Sequence, residues 1–185
     1  AFAKKDPQKR DLSALDEIVL LRAVIDSLPT PVVYKDRQGR YLGCNRAFAS
    51  LLGRPKEGLV GESVGDVLPK EIAETLSRLE REVLENRGAA SCEIRLPAPD
   101  GTVRHLVVEK AVLAAGNGQV LGTVGIATDI TERKRAEEAL EAERSRFYSV
   151  LDDLPAMVSL RDRNLRIRYA NRRFRELFGD PEGKC

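Results

Sequence analysis

The stretch "GTVGIATDITERKRAEEALEAERSRF", residues 122–147, changes character partway along. Up to Thr128 it is small, β-branched and uncharged, which suits a strand; beyond Asp129 it is rich in Glu, Arg and Ala without glycine or proline, which suits a helix. No loop residues separate the halves. The pattern predicts a strand running directly into a helix through Asp129, Ile130 and Thr131, with Thr131 placed to cap the helix and Asp129 placed to pair with a nearby base or with backbone donors.

Downstream of this joint, Leu140, Phe147 and Leu154 recur every seven residues with Ala136 and Val150 at the intervening positions, a heptad seam on a charged helix. Arg133 and Glu143 fall on would-be core positions, so the seam is weak, and the stripe serves equally to dock on a following domain. Upstream, "SCEIRLP" and "TVRHLVVEKAVLAA", joined through "PDGT", alternate as antiparallel strands covered on at least one face do. Before them "PKEIAETLSRLEREVLENRG" is an amphipathic helix with Ile72, Leu76, Leu79 and Val83 on one face and Gly88 at its end. Earlier still, "PVVYKD" and "GRYLGC" read as a hairpin, and Asn45 caps "RAFASLLG", which Gly53 closes.

At the start of the chain, residues 1–10 are polar and expected to fray, and Asp11 or Ser13 caps a helix. Its apolar positions Ala14, Ile18, Leu21, Ile25 and Leu28 step by four and three until "LPTP" stops it. Such a stripe fits a dimer seam or docking on the chain's own sheet equally well.

The strongest internal signal is a repeat. A gapless shift of 126 residues lays "VIDSLPTPVVYKDRQGRYLGCNRAFASLLGRP" on "VLDDLPAMVSLRDRNLRIRYANRRFRELFGDP", with 14 identities including Asp26/Asp152, Asp36/Asp162, Asn45/Asn171 and Gly53/Gly179. Ordinary composition would give roughly two. The second copy reaches Cys185 before its long helix and later strands, as expected of a piece of a longer tandem array. Its hairpin and helix are too little to bury a core alone, so the tail is expected to be disordered, to pack on another chain or to swap strands.

Composition narrows the function. The net charge is +2, from 31 basic and 29 acidic residues, so no global field favours nucleic acid or an anionic membrane. No apolar run reaches the ~20 residues of a membrane helix, and the chain is expected to work in the cytoplasm. Cys44, Cys92 and Cys185 lack metal-site spacing, and the one histidine, His105, lies in a strand interior without a nucleophile elbow. No catalytic or metal-binding constellation is present, and no enzyme activity is expected of this segment.

The order helix, hairpin, short helices, long helix and three-strand meander, ending in "DIT" and a charged helix, resembles a PAS domain with its C-terminal PAC segment, followed by the start of a second. The residues that carry the resemblance are "LPTPVVYKDRQGRYLGCNRAFASLLG", "PDGT" and above all "GTVGIATDITERKRAEEALEAE". It implies an α+β fold, a five-stranded antiparallel sheet with helices on one face, flanked by amphipathic, coiled-coil-like helices. The expected organisation is a flanking helix over 1–28, the PAS/PAC domain over 29–131, a linker helix over 132–154 and a second PAS fragment over 155–185.

The resemblance also implies a small pocket. By alternation and by comparison with flavin-binding members of the family, its wall is expected to comprise Cys92, Ile94, Leu96, Leu106, Val108, Gly125 and Ala127 from the sheet, closed by Phe48, Leu52, Ile72 and Leu76 from the helices. His105 points the other way, under a flanking helix. Nearly every wall position is apolar, so the site either takes a small apolar ligand or is filled by its own side chains. Photosensory flavin members carry a reactive cysteine in a motif like "NCRFLQ", whereas the matching stretch "ESVGDVLPK" (62–70) has none. Redox flavin members use a tryptophan, absent here, and haem members a histidine on or near the long helix, absent from 66–88. No cofactor is expected, and a haem or FAD redox or gas sensor is the least supported alternative.

The function implied is a sensory module of a bacterial-type signalling protein, of the histidine kinase or diguanylate cyclase kind, that binds a small apolar ligand or relays strain to an output domain of the same polypeptide. The alternative is a ligand-free dimerisation module, a homodimer through the flanking helices. The relay is expected at Asp129, Ile130 and Thr131, and the seams at Ile18, Leu21, Ile25 and Leu28 and at Leu140, Phe147, Val150 and Leu154.

Overall fold

The joint expected at Asp129 is present in the computed structural model of the chain, which describes residues 14–180: a strand ends at Asp129 and a helix begins at Thr131. The fraying expected of residues 1–10, the cap from Asp11 or Ser13, Pro181 and Cys185 lie outside the described residues. The chain divides between Thr131 and Glu132 into two compact units.

In the first unit, helix α1 (Ala14–Ser27) leads into a hairpin of β1 (Val32–Asp36) and β2 (Tyr41–Cys44). Helix α2 (Arg46–Leu52), a 3-10 turn at Lys56–Gly58, the single turn α3 (Val64–Val67) and the long α4 (Lys70–Asn86) follow. The meander of β3 (Ala89–Pro97), β4 (Val103–Ala114) and β5 (Val120–Asp129) completes a five-stranded antiparallel sheet in the order β2-β1-β5-β4-β3. The last strand thus sits at the centre, between the first and the fourth. Its pairing with β1 is so close at Gly122 that a Cβ there would lie 1.8 Å from the Lys35 carbonyl oxygen, so only glycine fits.

The helices cover one face of the sheet. Leu76 and Leu79 of α4 belong to one core cluster with Leu96, Leu106, Val108 and Ala127, while Phe48 and Ala49 of α2 join Tyr41, Cys44 and Leu59 in another. Helix α4 ends one residue earlier than its glycine suggests: Arg87 takes the left-handed conformation at φ 48° and donates its N–H to Val83 O, with the Gly88 N–H reaching the same carbonyl at 3.3 Å. The Val83 carbonyl is satisfied either way, and the arginine bears the backbone cost. Helix α1 is not docked on its own unit's sheet over Leu15–Val24: Ile18, Val19, Leu20, Leu21 and Val24 are all about half exposed or more.

The second unit contains most of α5 (Thr131–Asp153), a hairpin of β6 (Ser159–Arg161) and β7 (Ile167–Ala170), and α6 (Arg172–Phe178). Within residues 155–180 a hairpin and a helix are formed, and the repeated polar residues explain why this part folds as the first copy does. Asn45 Oδ1 accepts the N–H groups of Val32 and Phe48, each at 2.9 Å, and its Nδ2 donates to the carbonyls of Ile25, Leu28 and Thr30. Asn171 repeats this with Val158 and Phe174 N–H and with the Leu151 and Ala156 carbonyls. Asp36 and Asp162 each close the hairpin turn by accepting the N–H groups two and four residues on. Asp26 and Asp152 accept the first N–H of α2 and α6, from Arg46 and Arg172. One turn position departs from the repeat: Gly39, at φ 78°, is replaced by Leu165, held at φ 62°. No described helix is long and apolar enough to cross a membrane.

Candidate functional site

The core of the first unit holds a cavity of about 40 Å³ between the sheet and the helices. Alternation along three strands aims Ile94 and Leu96, Leu106 and Val108, and Gly125 and Ala127 into it, and Phe48, Leu52 and Leu76 close it from the helical side. Ile72 and Cys92 do not line it; both are partly buried against the core cluster that includes Leu76, Leu96 and Leu106. Val33, Tyr41, Leu51, Leu68 and Ile126 complete the apolar part of the wall.

Two further wall residues are charged, though the surface they present to the cavity is almost wholly apolar. Lys35 from β1 and Lys110 from β4 both line the cavity. Their ammonium groups meet on one carboxylate oxygen, Glu80 Oε2 of α4, at 3.1 and 2.9 Å. Lys110 Nζ also donates to the Leu76 carbonyl at 3.2 Å, and Thr123 Oγ1 of β5 donates to Glu80 Oε1 at 2.7 Å. Lys35 Nζ stands 4.5 Å from the centre of the Tyr41 ring, which itself packs at 5.9 Å from Phe48. One glutamate thereby ties the long helix to three strands.

The electrostatics follow from burial. Desolvation, then the neighbouring Lys110 charge, pushes the Lys35 ammonium down to about 8 in spite of Glu80. Burial alone would raise Glu80, but the two lysines and the hydrogen bonds from Lys110 and Thr123 hold its carboxyl below the usual range. Burial, then the Glu80 charge, pushes the Tyr41 phenol up. The thiols of Cys44 and Cys92 are also raised by burial, so neither is poised as a thiolate. No group of His, Cys, Asp and Glu able to hold a metal occurs among the described residues.

The signal for the charged cluster was present in the sequence as phase. Glu80 lies four residues after Leu76 and three before Val83, on the apolar stripe of its helix. Lys110 continues the inward series Leu106, Val108, and Lys35 the series begun by Val33.

At the joint Asp129 pairs as expected, with a backbone donor and a base, and Thr131 does not cap the helix. Asp129 Oδ1 accepts the Thr131 N–H at 2.9 Å and so serves the helix N-terminus, while Asp129 Oδ2 stands 3.6 Å from Arg104. The Thr131 hydroxyl is not a cap: Oγ1 accepts the backbone N–H of His105 in β4 at 2.9 Å. The Ile130 N–H donates to the His105 carbonyl at 2.8 Å, so both backbone groups of His105 hold the residues after β5. The imidazole of His105 is half-buried on the face of β4 opposite Leu106. The seam residues Leu140, Phe147 and Val150 of α5, and Leu154 just after it, are exposed.

The comparisons with known proteins agree with this geometry. A family model described as "PAS fold" matches residues 25–135, and one described as "PAS domain" matches 145–185. The chain is 32% identical over 121 residues to the aerobic respiration control sensor protein ArcB of Escherichia coli K12, covering 65% of this chain and 16% of that protein. It is 30% identical over 132 residues to the virulence sensor protein BvgS of Bordetella pertussis, covering 68% of this chain and 10% of that one. The chain therefore spans only a small part of the length of these relatives. Among solved structures, the PAS domain of a Colwellia psychrerythraea protein is 28% identical with a TM-score of 0.53, over 62% of this chain and 98% of that one. The BvgS PAS domain of Bordetella pertussis shares the fold at a TM-score of 0.53 and 24% identity, over 71% of this chain and 98% of that one. With a PAS model spanning more than half of the chain, the chain belongs to the PAS family and is a sensory module of signalling proteins, not a catalytic one.

Proposed function

We propose that the first unit senses a small, largely apolar ligand held between its sheet and α4, and that occupancy is relayed through Asp129, Ile130 and Thr131 into α5 and on to an output domain of the same polypeptide, of histidine kinase or diguanylate cyclase type. The observation that carries this reading is the cavity itself, whose wall is drawn from α2, α4 and the inward face of the sheet, so that an occupant touches every layer of the domain. At about 40 Å³ the cavity suits a few heavy atoms, which supports a small ligand.

A second reading has its own observation. The apolar side chains of α1 stand in solvent, which favours a homodimer through the flanking helices, with or without a ligand. Native mass spectrometry together with an absorbance spectrum of the purified chain separates the two. A mass increment of small-molecule size that disappears on denaturation supports sensing; dimers of unadorned mass, unchanged after incubation with cell extract, leave only the ligand-free interaction module.

A further inference from the structure

The two entry helices meet their hairpins in the same way but with different side chains between them. The last turn of each is pinned alike. Asn45 donates to the Ile25 and Thr30 carbonyls as Asn171 does to those of Leu151 and Ala156, and Asp26 and Asp152 both accept the first N–H of the helix after the hairpin. In the second unit Tyr148 of α5 and Tyr169 of β7 fill the space so framed, with ring centres 4.7 Å apart. The Tyr169 hydroxyl donates to Asp152 Oδ1 at 2.9 Å and reaches the Tyr148 carbonyl at 3.3 Å. In the first unit Arg22 and Gly43 hold the places of these two rings, and Tyr34 holds the place of Leu160. Tyr34 stands so close over Gly43 that a Cβ there would lie 2.3 Å from its hydroxyl oxygen, so β2 cannot supply a ring of its own. The first unit thus has one aromatic ring where the second has two, and a groove of about 300 Å³ lies between α1, the hairpin and the turn after α2.

We propose that this groove is a second binding site, apart from the core cavity, and that it takes a free small-molecule phenol in the place where the second unit carries its own tyrosine. Ile25, Tyr34, Leu42 and Val60 supply the apolar wall, and Leu42 and Val60, 48 and 55% exposed, are side chains that an aromatic ring would cover. Asp26 and Lys56 supply the polar end: Asp26 Oδ1 is bonded to Lys56 Nζ, where its counterpart Asp152 Oδ1 takes the Tyr169 hydroxyl. A hydroxyl can donate to the carboxylate and accept from the ammonium, which a bare hydrocarbon cannot do. An anion is disfavoured because Asp26 and Glu57 both belong to the wall. The site bears on the entry helix. Over Leu15–Val24 the apolar side chains of α1 are exposed, and the bonds from Asn45 and Arg46 hold only its end. A ring lodged between Arg22 and Gly43 would extend that hold by one turn, so that the phenol sets how firmly α1 sits on the domain.

The test is the amide proton–nitrogen NMR spectrum of the 185-residue chain during titration with p-cresol, the tyrosine side chain as a free molecule, and with toluene, which lacks the hydroxyl. We expect saturable shifts at Ile25, Gly43 and Val60, with p-cresol binding about fivefold tighter than toluene. Arg22→Tyr, at an exposed helix position, restores the ring that Tyr148 provides and should tighten p-cresol binding about threefold. Arg22→Tyr combined with Tyr34→Leu and Gly43→Tyr installs the whole set of the second unit and should abolish the shifts; the single variant decides the matter if the triple one does not fold. Shifts confined to Leu106, Ala127 and their neighbours would put the phenol in the core cavity, overturning this site and leaving the sensing reading standing. Equal affinity for toluene overturns the phenol. No saturable shift with p-cresol, or no tightening by Arg22→Tyr, overturns the site, and neither result touches the core cavity. Shifts at the same three amides on raising the protein concentration alone also overturn it, since a side chain of a second copy then fills the groove.

Discussion

At the scale of single residues, side chains that sequence patterning treats as breaks in the pattern hold this fold together. Asn45 is fully buried and joins the end of α1, the start of β1 and the first turn of α2 through one side chain. Asn45→Ala removes a helix cap and leaves buried backbone groups unpaired, so it should lower stability by about 2–4 kcal/mol in urea denaturation. Asn45→Asp, which keeps the acceptor but sets a buried carboxylate oxygen against the Ile25, Leu28 and Thr30 carbonyls, should be no less destabilising. Lys35 gives a pH signature. Its folded-state value of about 8 lies below its ordinary 10.5, so between these the unfolded chain holds a proton that the folded chain has released, and stability rises with pH. The rise is at most about 1.4 kcal/mol per pH unit and vanishes below pH 8, where both states are protonated. Tyr41, Cys44 and Cys92, all pushed up, act in the opposite direction above their ordinary values. Comparing urea midpoints of the unaltered chain and Lys35→Met from pH 7.5 to 9.5 isolates the lysine; parallel curves would refute the assignment. Leu165 offers a gain instead: a left-handed leucine costs roughly 1–2 kcal/mol, and Leu165→Gly should return about 1 kcal/mol as slower amide exchange across β6 and β7.

At the scale of elements, the sequence was legible wherever one period dominated. The 3.6-residue stripe of α4 and the two-residue alternation of β3, β4 and β5 were readable; the expected pocket wall was drawn from them together with the family resemblance, and Ile72 and Cys92 lie off it. What stayed hidden was of two kinds. Glu80, Lys35 and Lys110 sit in phase with their apolar neighbours, but a charge on an apolar stripe has meaning only once its partners on other elements are known, and they lie 30 and 45 residues away from it. The joint was foreseen as a joint and misread in detail, because a threonine beside a helix start can serve the helix or a neighbouring strand, and only the proximity of β4 decides. Thr131→Ala should leave the His105 N–H unpaired and cost about 1 kcal/mol, read as faster exchange of that amide. Asp129→Ala should speed exchange at Thr131 by removing its acceptor, with the rest of the sheet unaffected. If the Asp129 variant of the parent protein responds to its stimulus in full, the joint does not carry the signal.

At the scale of the molecule, the two units differ in what they can sustain. The first buries two clusters of apolar side chains under a five-stranded sheet. In the second, Ala170 and Asn171 are the buried residues among those described, and Leu160, Leu177 and Phe178 stand exposed. A two-stranded hairpin with one short helix is marginal in water, however well its Asn171 and Asp162 bonds reproduce the first copy, because hydrogen bonds specify a geometry more than they stabilise it. The full chain should therefore unfold in urea with one cooperative transition whose free energy is that of residues 1–131 alone, within about 0.5 kcal/mol. A fragment of residues 132–185 should show a broad, non-cooperative loss of signal and associate as its concentration rises, through the exposed face of α5 and the uncovered side of its hairpin. A sharp, concentration-independent transition in that fragment would mean that the repeated hydrogen bonds suffice without a core. The repeat would then be a self-standing fold, and the long helix and later strands of the first copy would be there for the cavity they enclose, not for stability.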